Sequence, residues 1–185
     1  MEVKVAVLDD YQGVALEMAD WHTLPPGTQV QLFRDHLASL DAIAQRLRGF
    51  QVVAIMRERT PFPRTLLERL PELRLLITTG MRNPSIDLDA ATELGIMVCG
   101  TRSLGYPTAE LTWGLILALL RHIPLEDATL RQGRWQTTVG TGLHGKTLGV
   151  MGLGNLGSQV ATIGVAFGMP VIAWSQNLTA ARAAQ

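Results

Sequence analysis

Three glycines with a fixed spacing carry the clearest chemistry in this sequence. Gly152, Gly154 and Gly157 form a G-x-G-x-x-G pattern that encloses Asn155 and Leu156. The first glycine permits a sharp turn, the second removes a Cβ that would block a pyrophosphate, and the third lets a helix pack closely on a strand. Free N–H groups at the helix N-terminus would bind the phosphates, because the helix dipole favours negative charge there. The spacing therefore predicts a dinucleotide site at these five residues.

The segments on either side of the glycines make this prediction specific. Residues 147–151 are apolar and predict a buried strand, residues 158–167 predict a helix, and residues 171–174 predict a second strand. A glycine pattern alone is weak evidence, but strand, turn, helix and strand in this order form the unit that binds dinucleotides.

The end of the second strand should hold the adenosine ribose, often through an acidic residue. This sequence has Ser175 there, which can donate a hydrogen bond to a ribose hydroxyl but would not repel a 2′-phosphate. The nearest arginine is Arg182, for which a solvated helix charge is the favoured interpretation. We therefore expect NAD as the cofactor, with NADP possible.

The elements before this unit alternate between strands and short helices. This alternation predicts an α/β fold whose parallel sheet is covered by helices on both faces. Strands are predicted at 3–8, 29–33, 52–56, 75–78 and 96–99, and helices at 11–21, 39–47, 65–70, 86–94, 107–122 and 126–135.

Ligands of such sheets bind beyond the carboxyl ends of the strands. Three predicted loops lie there, and each contains arginine: residues 57–59, 79–83 and 100–103. The middle loop also offers the Thr79 hydroxyl and backbone N–H groups around Gly80 and Met81. Together with Arg57 they could bind a small carboxylate, although surface arginines without a ligand fit the sequence equally well.

The helix predicted at 107–122 is apolar around most of its circumference, which predicts burial between domains or subunits. Composition adds few constraints: 16 basic residues balance 16 acidic ones, so neither nucleic acid nor a membrane is an expected partner. The single Cys99 and the absence of a signal-peptide pattern favour a soluble, cytoplasmic protein.

The order and spacing of several short motifs resemble the D-isomer-specific 2-hydroxyacid dehydrogenases. The matching segments are Leu66–Leu73, Thr79-Gly80 followed by Ile86-Asp87-Leu88, Gly95–Val98, Thr108–Thr112, the Arg131, Gly133 and Trp135 pattern, and Gly145–Gly149 leading into the glycine turn.

This resemblance implies two domains with a cleft between them. Residues 1–101 would form a flavodoxin-like substrate domain, and residues 102–185 the first strand–helix–strand unit of a Rossmann nucleotide-binding domain, incomplete at its C-terminus. The resemblance also implies that the loop 79–81 presents backbone N–H groups to a substrate carboxylate and that Thr108 lies near the nicotinamide. The implied activity is NAD(P)-dependent interconversion of 2-keto acids and D-2-hydroxy acids, by a homodimer when full length.

The family's catalytic Arg, Glu and His lie well beyond the second strand of the nucleotide domain, whereas this sequence stops at Gln185. The four histidines are His22, His36, His122 and His144, and none is predicted to be catalytic. We therefore expect the front part of such an enzyme, inactive alone, with no metal site. A dinucleotide-sensing or interaction module without turnover, as in co-repressors of this fold, is the alternative.

Overall fold

The computed structural model describes residues 2–183 of the 185-residue chain, with the side chains of residues 182 and 183 outside the description. By its internal contacts the chain separates into two compact units, Met1–Ser103 and Leu104–Gln185.

The first unit is built on a five-stranded parallel sheet in the order β2-β1-β3-β4-β5. This is the flavodoxin-like order of doubly wound folds, so the predicted α/β class is confirmed. The strands are β1 (Lys4–Val7), β2 (Gln29–Leu32), β3 (Val52–Ile55), β4 (Leu75–Thr78) and β5 (Met97–Gly100).

Three helices bury one face of this sheet: α1 (Leu40–Leu47), α2 (Arg64–Leu67) and α3 (Leu88–Glu93). Apolar side chains repeat at helical spacing along α1, and its inward residues pack with Val53 and Leu76 from the strands. The opposite face is only half-buried along β3 and β4. Helices were predicted on both faces of the sheet. Among the described residues of this unit, helices cover one face.

The helix predicted at residues 11–21 does not form, and turns followed by a short 3₁₀ segment (Trp21–Thr23) connect β1 to β2 instead. The Asp10 carboxylate accepts hydrogen bonds from the N–H groups of Val14 (3.1 Å) and Ala15 (3.2 Å). Such side-chain bonds compete with helix formation. Gly13 also adopts a φ of +70°, which lies outside the right-handed helical region.

The second unit contains a two-stranded parallel sheet, β6 (Leu148–Met151) paired with β7 (Val171–Trp174). Its helices are α4 (Pro107–Leu120), α5 (Ile123–Arg131), α6 (Asn155–Ala166) and α7 (Ala180–Ala183). Trp113 of α4 is buried, its ring centroid lies 4.9 Å from that of Phe167, and its Nε1 donates to the Val160 carbonyl (3.2 Å).

Within its own unit, helix α4 is buried on one side only, and its burial between domains or subunits stays a prediction. Ala109 and Trp113 are buried, whereas Leu111, Leu115 and Leu119 are each more than 60% exposed. These leucines recur every four residues and form one continuous apolar face, because side chains at i and i+4 lie on the same side of a helix. Among residues 2–183, no helix is both long and apolar enough to cross a lipid bilayer.

Candidate functional site

The glycine turn connects β6 to α6 in three residues, from Gly152 to Gly154. Gly152 has a φ of +93°, in the region that favours glycine, and nothing surrounds the position that a Cβ would take. Its N–H donates to the Trp174 carbonyl at the end of β7 (2.7 Å). This bond fixes the turn against the second strand.

The fold leaves no room for a side chain at Gly157. A Cβ there would lie far inside van der Waals contact with the carbonyl oxygen of Gly152, a backbone atom that cannot move aside cheaply. The helix therefore approaches the turn more closely than any other residue type at this position would allow.

Gly154 differs, because no atom lies within 4 Å of the position of a Cβ there. Its φ of −91° and ψ of −161° are extended backbone that any residue can adopt. The fold thus accepts a side chain at Gly154 and leaves open space beside the start of α6. That is the behaviour expected of a position that a pyrophosphate approaches.

The first turn of α6 provides the hydrogen-bond donors for that phosphate. Gly154 is the N-cap residue and no side chain caps the helix, while the N–H of Ser158 makes the first intrahelical bond, to the Gly154 carbonyl (2.9 Å). The N–H groups of Asn155, Leu156 and Gly157 precede it and have no carbonyl to accept them within the helix. Asn155 and Leu156 are exposed, so the residues present fit a dinucleotide phosphate group.

The other predicted cofactor residues lie in the same unit. Ser175 directly follows Trp174, whose carbonyl accepts from Gly152, so Ser175 stands beside the glycine turn and is partly buried. Thr108 is exposed in the first turn of α4, and its carbonyl accepts a hydrogen bond from the Thr112 hydroxyl (2.7 Å). Arg182 lies in α7, but its side chain is outside the described residues.

In the first unit, Arg57 lies against the loop that follows β4. Its guanidinium covers Gly80 so closely that a Cβ at Gly80 would collide with Nη1 and lie 3.2 Å from Cζ. The Nε of Arg57 lies 3.9 Å from the Glu58 carboxylate, and both side chains are about half exposed. Such a pair contributes little, so the guanidinium can bind a further anion.

The backbone N–H groups of the predicted substrate loop are not equally available. Thr79 donates to the Ile55 carbonyl (3.1 Å), and Gly80 donates to the Thr101 hydroxyl (3.1 Å). Met81 is exposed, and its N–H has no recorded acceptor among residues 2–183. Of the three residues, Met81 therefore offers the free donor next to Arg57.

Gly100 supports this loop and was not singled out from the sequence as a site residue. A Cβ there would lie 2.7 Å from the Gly80 carbonyl oxygen and 3.0 Å from the Met81 Cα. The end of β5 therefore passes against the substrate loop without room for a side chain. The strand was predicted to end at residue 99, whereas in the structure it includes Gly100, and a glycine within a strand often marks a close backbone approach.

A histidine–carboxylate pair was also missed, at the carboxyl ends of β1 and β2. The Nδ1 of His36 lies 2.9 Å from the carboxylate of Asp9, which is almost fully buried and also accepts from the Thr60 hydroxyl (2.6 Å). Burial and the nearby Asp9 carboxylate raise the pKa of Tyr11. The two partners are 27 residues apart, so no local pattern could have joined them.

A parallel α/β fold with this glycine turn defines a dinucleotide-binding protein of the Rossmann type. Comparison with known proteins shows which family the chain resembles. Residues 113–185 match the sequence model described as "D-isomer specific 2-hydroxyacid dehydrogenase, NAD binding domain". This match to the second unit and the relatives below confirm the predicted resemblance to that family and support NAD(H) as the cofactor.

Two curated relatives and one solved structure illustrate the similarity. The chain is 40% identical over 125 residues to a D-3-phosphoglycerate dehydrogenase from Methanocaldococcus jannaschii, covering 66% of this chain and 24% of that protein. It is 41% identical over 122 residues to a glyoxylate reductase from Aeropyrum pernix, covering 60% of this chain and 36% of that protein.

The crystal structure of a phosphoglycerate oxidoreductase from Vibrio cholerae o395 is 36% identical, with a TM-score of 0.85, and the match covers 95% of this chain and 56% of that one. The chain therefore spans about half the length of this solved relative and less of the curated ones.

Proposed function

We propose that this chain provides the substrate domain, residues 1–101, and the cofactor-binding unit, residues 102–185, of an NAD-dependent oxidoreductase. The reaction would interconvert a 2-keto acid and a D-2-hydroxy acid. The proposal rests on the start of α6. No side chain caps this helix, and its N-cap residue, Gly154, leaves open space beside the free N–H groups. None of the relatives reported above has a name that favours the non-catalytic alternative.

The second unit would bind the cofactor through its backbone and two hydroxyl groups. The N–H groups of Asn155, Leu156 and Gly157 would donate to the pyrophosphate, and the Ser175 hydroxyl to the adenosine ribose. Thr108 would lie at the nicotinamide end. When bound, the cofactor supplies the group that accepts or donates a hydride.

The first unit would bind the substrate carboxylate. Arg57 offers a planar guanidinium suited to carboxylate oxygens, and the N–H of Met81 offers a backbone donor beside it. Thr79 and Gly80 would shape the loop, since their own N–H groups already donate to Ile55 and Thr101. A small acid with one carboxylate fits this set of donors.

The proposal is tested by titrating NADH into residues 1–185 and measuring the heat of binding by calorimetry. We expect saturable binding. A dispersed NMR spectrum, which shows that the polypeptide is folded, together with no heat at millimolar NADH would contradict the assignment of the glycine turn.

Ser175→Asp is expected to lower NADPH affinity while leaving NADH usable. A carboxylate at the ribose position repels a 2′-phosphate, and two charges about 4 Å apart interact by about 1–4 kcal/mol between bulk water and a partly screened surface. The measurement is the ratio of the NADPH and NADH dissociation constants, with Ser175→Asn as the uncharged control. An unchanged ratio would mean that Ser175 does not contact the ribose.

We also propose that the full-length protein is a cytoplasmic homodimer that binds neither nucleic acid nor membrane. The exposed face of α4, formed by Leu111, Leu115 and Leu119, supports association with a second copy, because contiguous apolar patches commonly mark protein interfaces. Sedimentation of the wild type and of a Leu115→Glu variant would test this. An unchanged molar mass on substitution would exclude this face from the interface.

A further inference from the structure

The backbone of Arg57 adopts a conformation that residues other than glycine rarely take. Its φ is +55°, in the left-handed region. Such residues persist where the surrounding structure holds them, and they cluster at functional sites. The question is what holds this one.

Two side chains from the neighbouring strand and loop hold both backbone polar groups of Arg57. Its N–H donates to the hydroxyl of Thr79 (3.0 Å), and its carbonyl accepts from the Nδ2 of Asn83 (2.7 Å). Asn83 is 9% exposed. Neither bond belongs to the sheet, so both backbone polar groups of Arg57 are bonded to side chains.

The amide of Asn83 is itself fixed by further partners. Nδ2 also donates to the buried Thr78 hydroxyl (2.9 Å), while Oδ1 accepts from the N–H (3.0 Å) and the hydroxyl (2.6 Å) of Ser85. The two ends of the amide therefore serve different purposes. Oδ1 closes the turn at residues 83–85, and Nδ2 reaches across to Arg57.

The conformation of Arg57 decides where its charge lies. With this backbone the side chain folds back over Gly80, so the guanidinium stands beside the loop that presents the free N–H of Met81. Rotation of Arg57 into the right-handed or extended region would turn the side chain away from Gly80, because the direction of Cβ follows the backbone.

We propose that Asn83 and Thr79 act as positioning residues, which hold Arg57 in its left-handed conformation so that its guanidinium meets the substrate carboxylate at the Gly80 loop. The proposal rests on the proposed function, since it assigns the carboxylate of a 2-keto acid to Arg57. It adds residues that act on binding without themselves contacting the substrate through their side chains.

The two ends of the Asn83 amide make different hydrogen bonds, so substitutions can test them separately. Asn83→Asp keeps the acceptor for Ser85 but replaces the Nδ2 donor with an oxygen, which faces the Arg57 carbonyl. Ser85→Ala weakens the turn but leaves the bond from Asn83 to Arg57. A purely structural role for Asn83 predicts that Ser85→Ala does more damage, whereas a positioning role predicts the reverse.

Thr79 offers a second matched pair. Thr79→Val has nearly the same shape but lacks the hydroxyl that accepts from the Arg57 N–H, and Thr79→Ser restores that hydroxyl. Rescue by serine would show that the hydrogen bond, and not the packing of the side chain, supports Arg57.

The experiment is an NMR titration of residues 1–185 with glyoxylate, following the Arg57 Nε–H and Met81 N–H signals. We expect Asn83→Asp and Thr79→Val to weaken glyoxylate binding about tenfold, the loss that one hydrogen bond to a key group gives. Ser85→Ala and Thr79→Ser should bind within about twofold of the wild type, on the same reasoning. The Cα and Cβ shifts of Arg57 report the left-handed backbone and should change only in the first two variants.

Wild-type binding by Asn83→Asp, with Arg57→Lys defective, would overturn the positioning role and leave the proposed function standing. If the wild type itself shows no response to glyoxylate, the substrate assignment fails, and the Arg57 shifts still decide whether Asn83 and Thr79 hold its backbone. Retention of the left-handed shifts in Asn83→Asp and Thr79→Val would overturn the inference in either case.

Discussion

Gly154→Val should lower the affinity of residues 1–185 for NADH by about 10–100-fold, the cost of one charge-assisted hydrogen bond of about 1.5–3 kcal/mol. The valine would occupy open space, since nothing lies within 4 Å of its Cβ position, and the backbone there is extended. It would therefore stand where the pyrophosphate approaches the start of α6, without disturbing the fold. Calorimetry with NADH measures the affinity, and thermal unfolding checks that the fold is retained.

Two further glycines provide the comparison for this variant. Gly149 lies in β6 with open space at its Cβ position, so Gly149→Ala should bind NADH like the wild type. Gly157→Ala would push a methyl group into the Gly152 carbonyl and should lose both NADH binding and thermal stability of the second unit. If Gly154→Val retained the wild-type affinity, the phosphates would have to bind elsewhere, and the assignment of the turn would be wrong.

The contrast between these glycines shows what sequence can predict about the cofactor site. The chemistry of the turn is local, because strand, turn and helix follow one another along the chain, and β7 was predicted with its exact bounds, Val171–Trp174. Helix α6 begins at Asn155, three residues earlier than predicted, because the helix starts immediately after its Gly154 N-cap. The spacing alone did not reveal that the fold excludes a side chain at Gly157 and leaves room for one at Gly154.

The geometry of the substrate loops was harder to predict from the sequence, because it comes from contacts between residues far apart in the chain. Arg57 was selected because it follows a strand, yet its backbone is hydrogen-bonded to the side chains of Thr79 and Asn83, which are 22 and 26 residues away. The pairing of His36 with Asp9 has the same character. Periodicity locates strands and their ends, but it does not say which side chains meet across neighbouring loops of a parallel sheet.

The incorrect helix at residues 11–21 has a local cause. Its apolar residues favoured a helix, but the two oxygens of Asp10 bind the N–H groups of Val14 and Ala15 and close a turn instead. A capping carboxylate and the opening of a helix look alike in sequence, since acidic residues favour both. Gly13, with its positive φ, supports the turn.

A polypeptide of residues 1–185 is expected to bind NADH without turning over glyoxylate, hydroxypyruvate or pyruvate. Hydride transfer to a keto group needs a cation to polarise the carbonyl and an acid to supply a proton. These contribute about 10²–10³-fold through electrostatic stabilisation and about 10²–10⁴-fold through acid–base catalysis. By the family resemblance, the residues for both lie beyond the second strand of the nucleotide domain, which here is β7.

If this polypeptide did turn over a keto acid, the proton source would be sought among the histidines of the described residues. His144 packs its ring against Gly168, and His122 adopts a left-handed conformation between α4 and α5, with no carboxylate recorded beside either. His36 alone has a buried carboxylate partner, Asp9, and its side chain is 38% exposed. The assay is the loss of NADH absorbance with each keto acid at millimolar concentration. Turnover at an enzymatic rate would contradict the expectation, and loss of that turnover in His36→Asn, with NADH affinity unchanged, would identify the His36–Asp9 pair as the proton source.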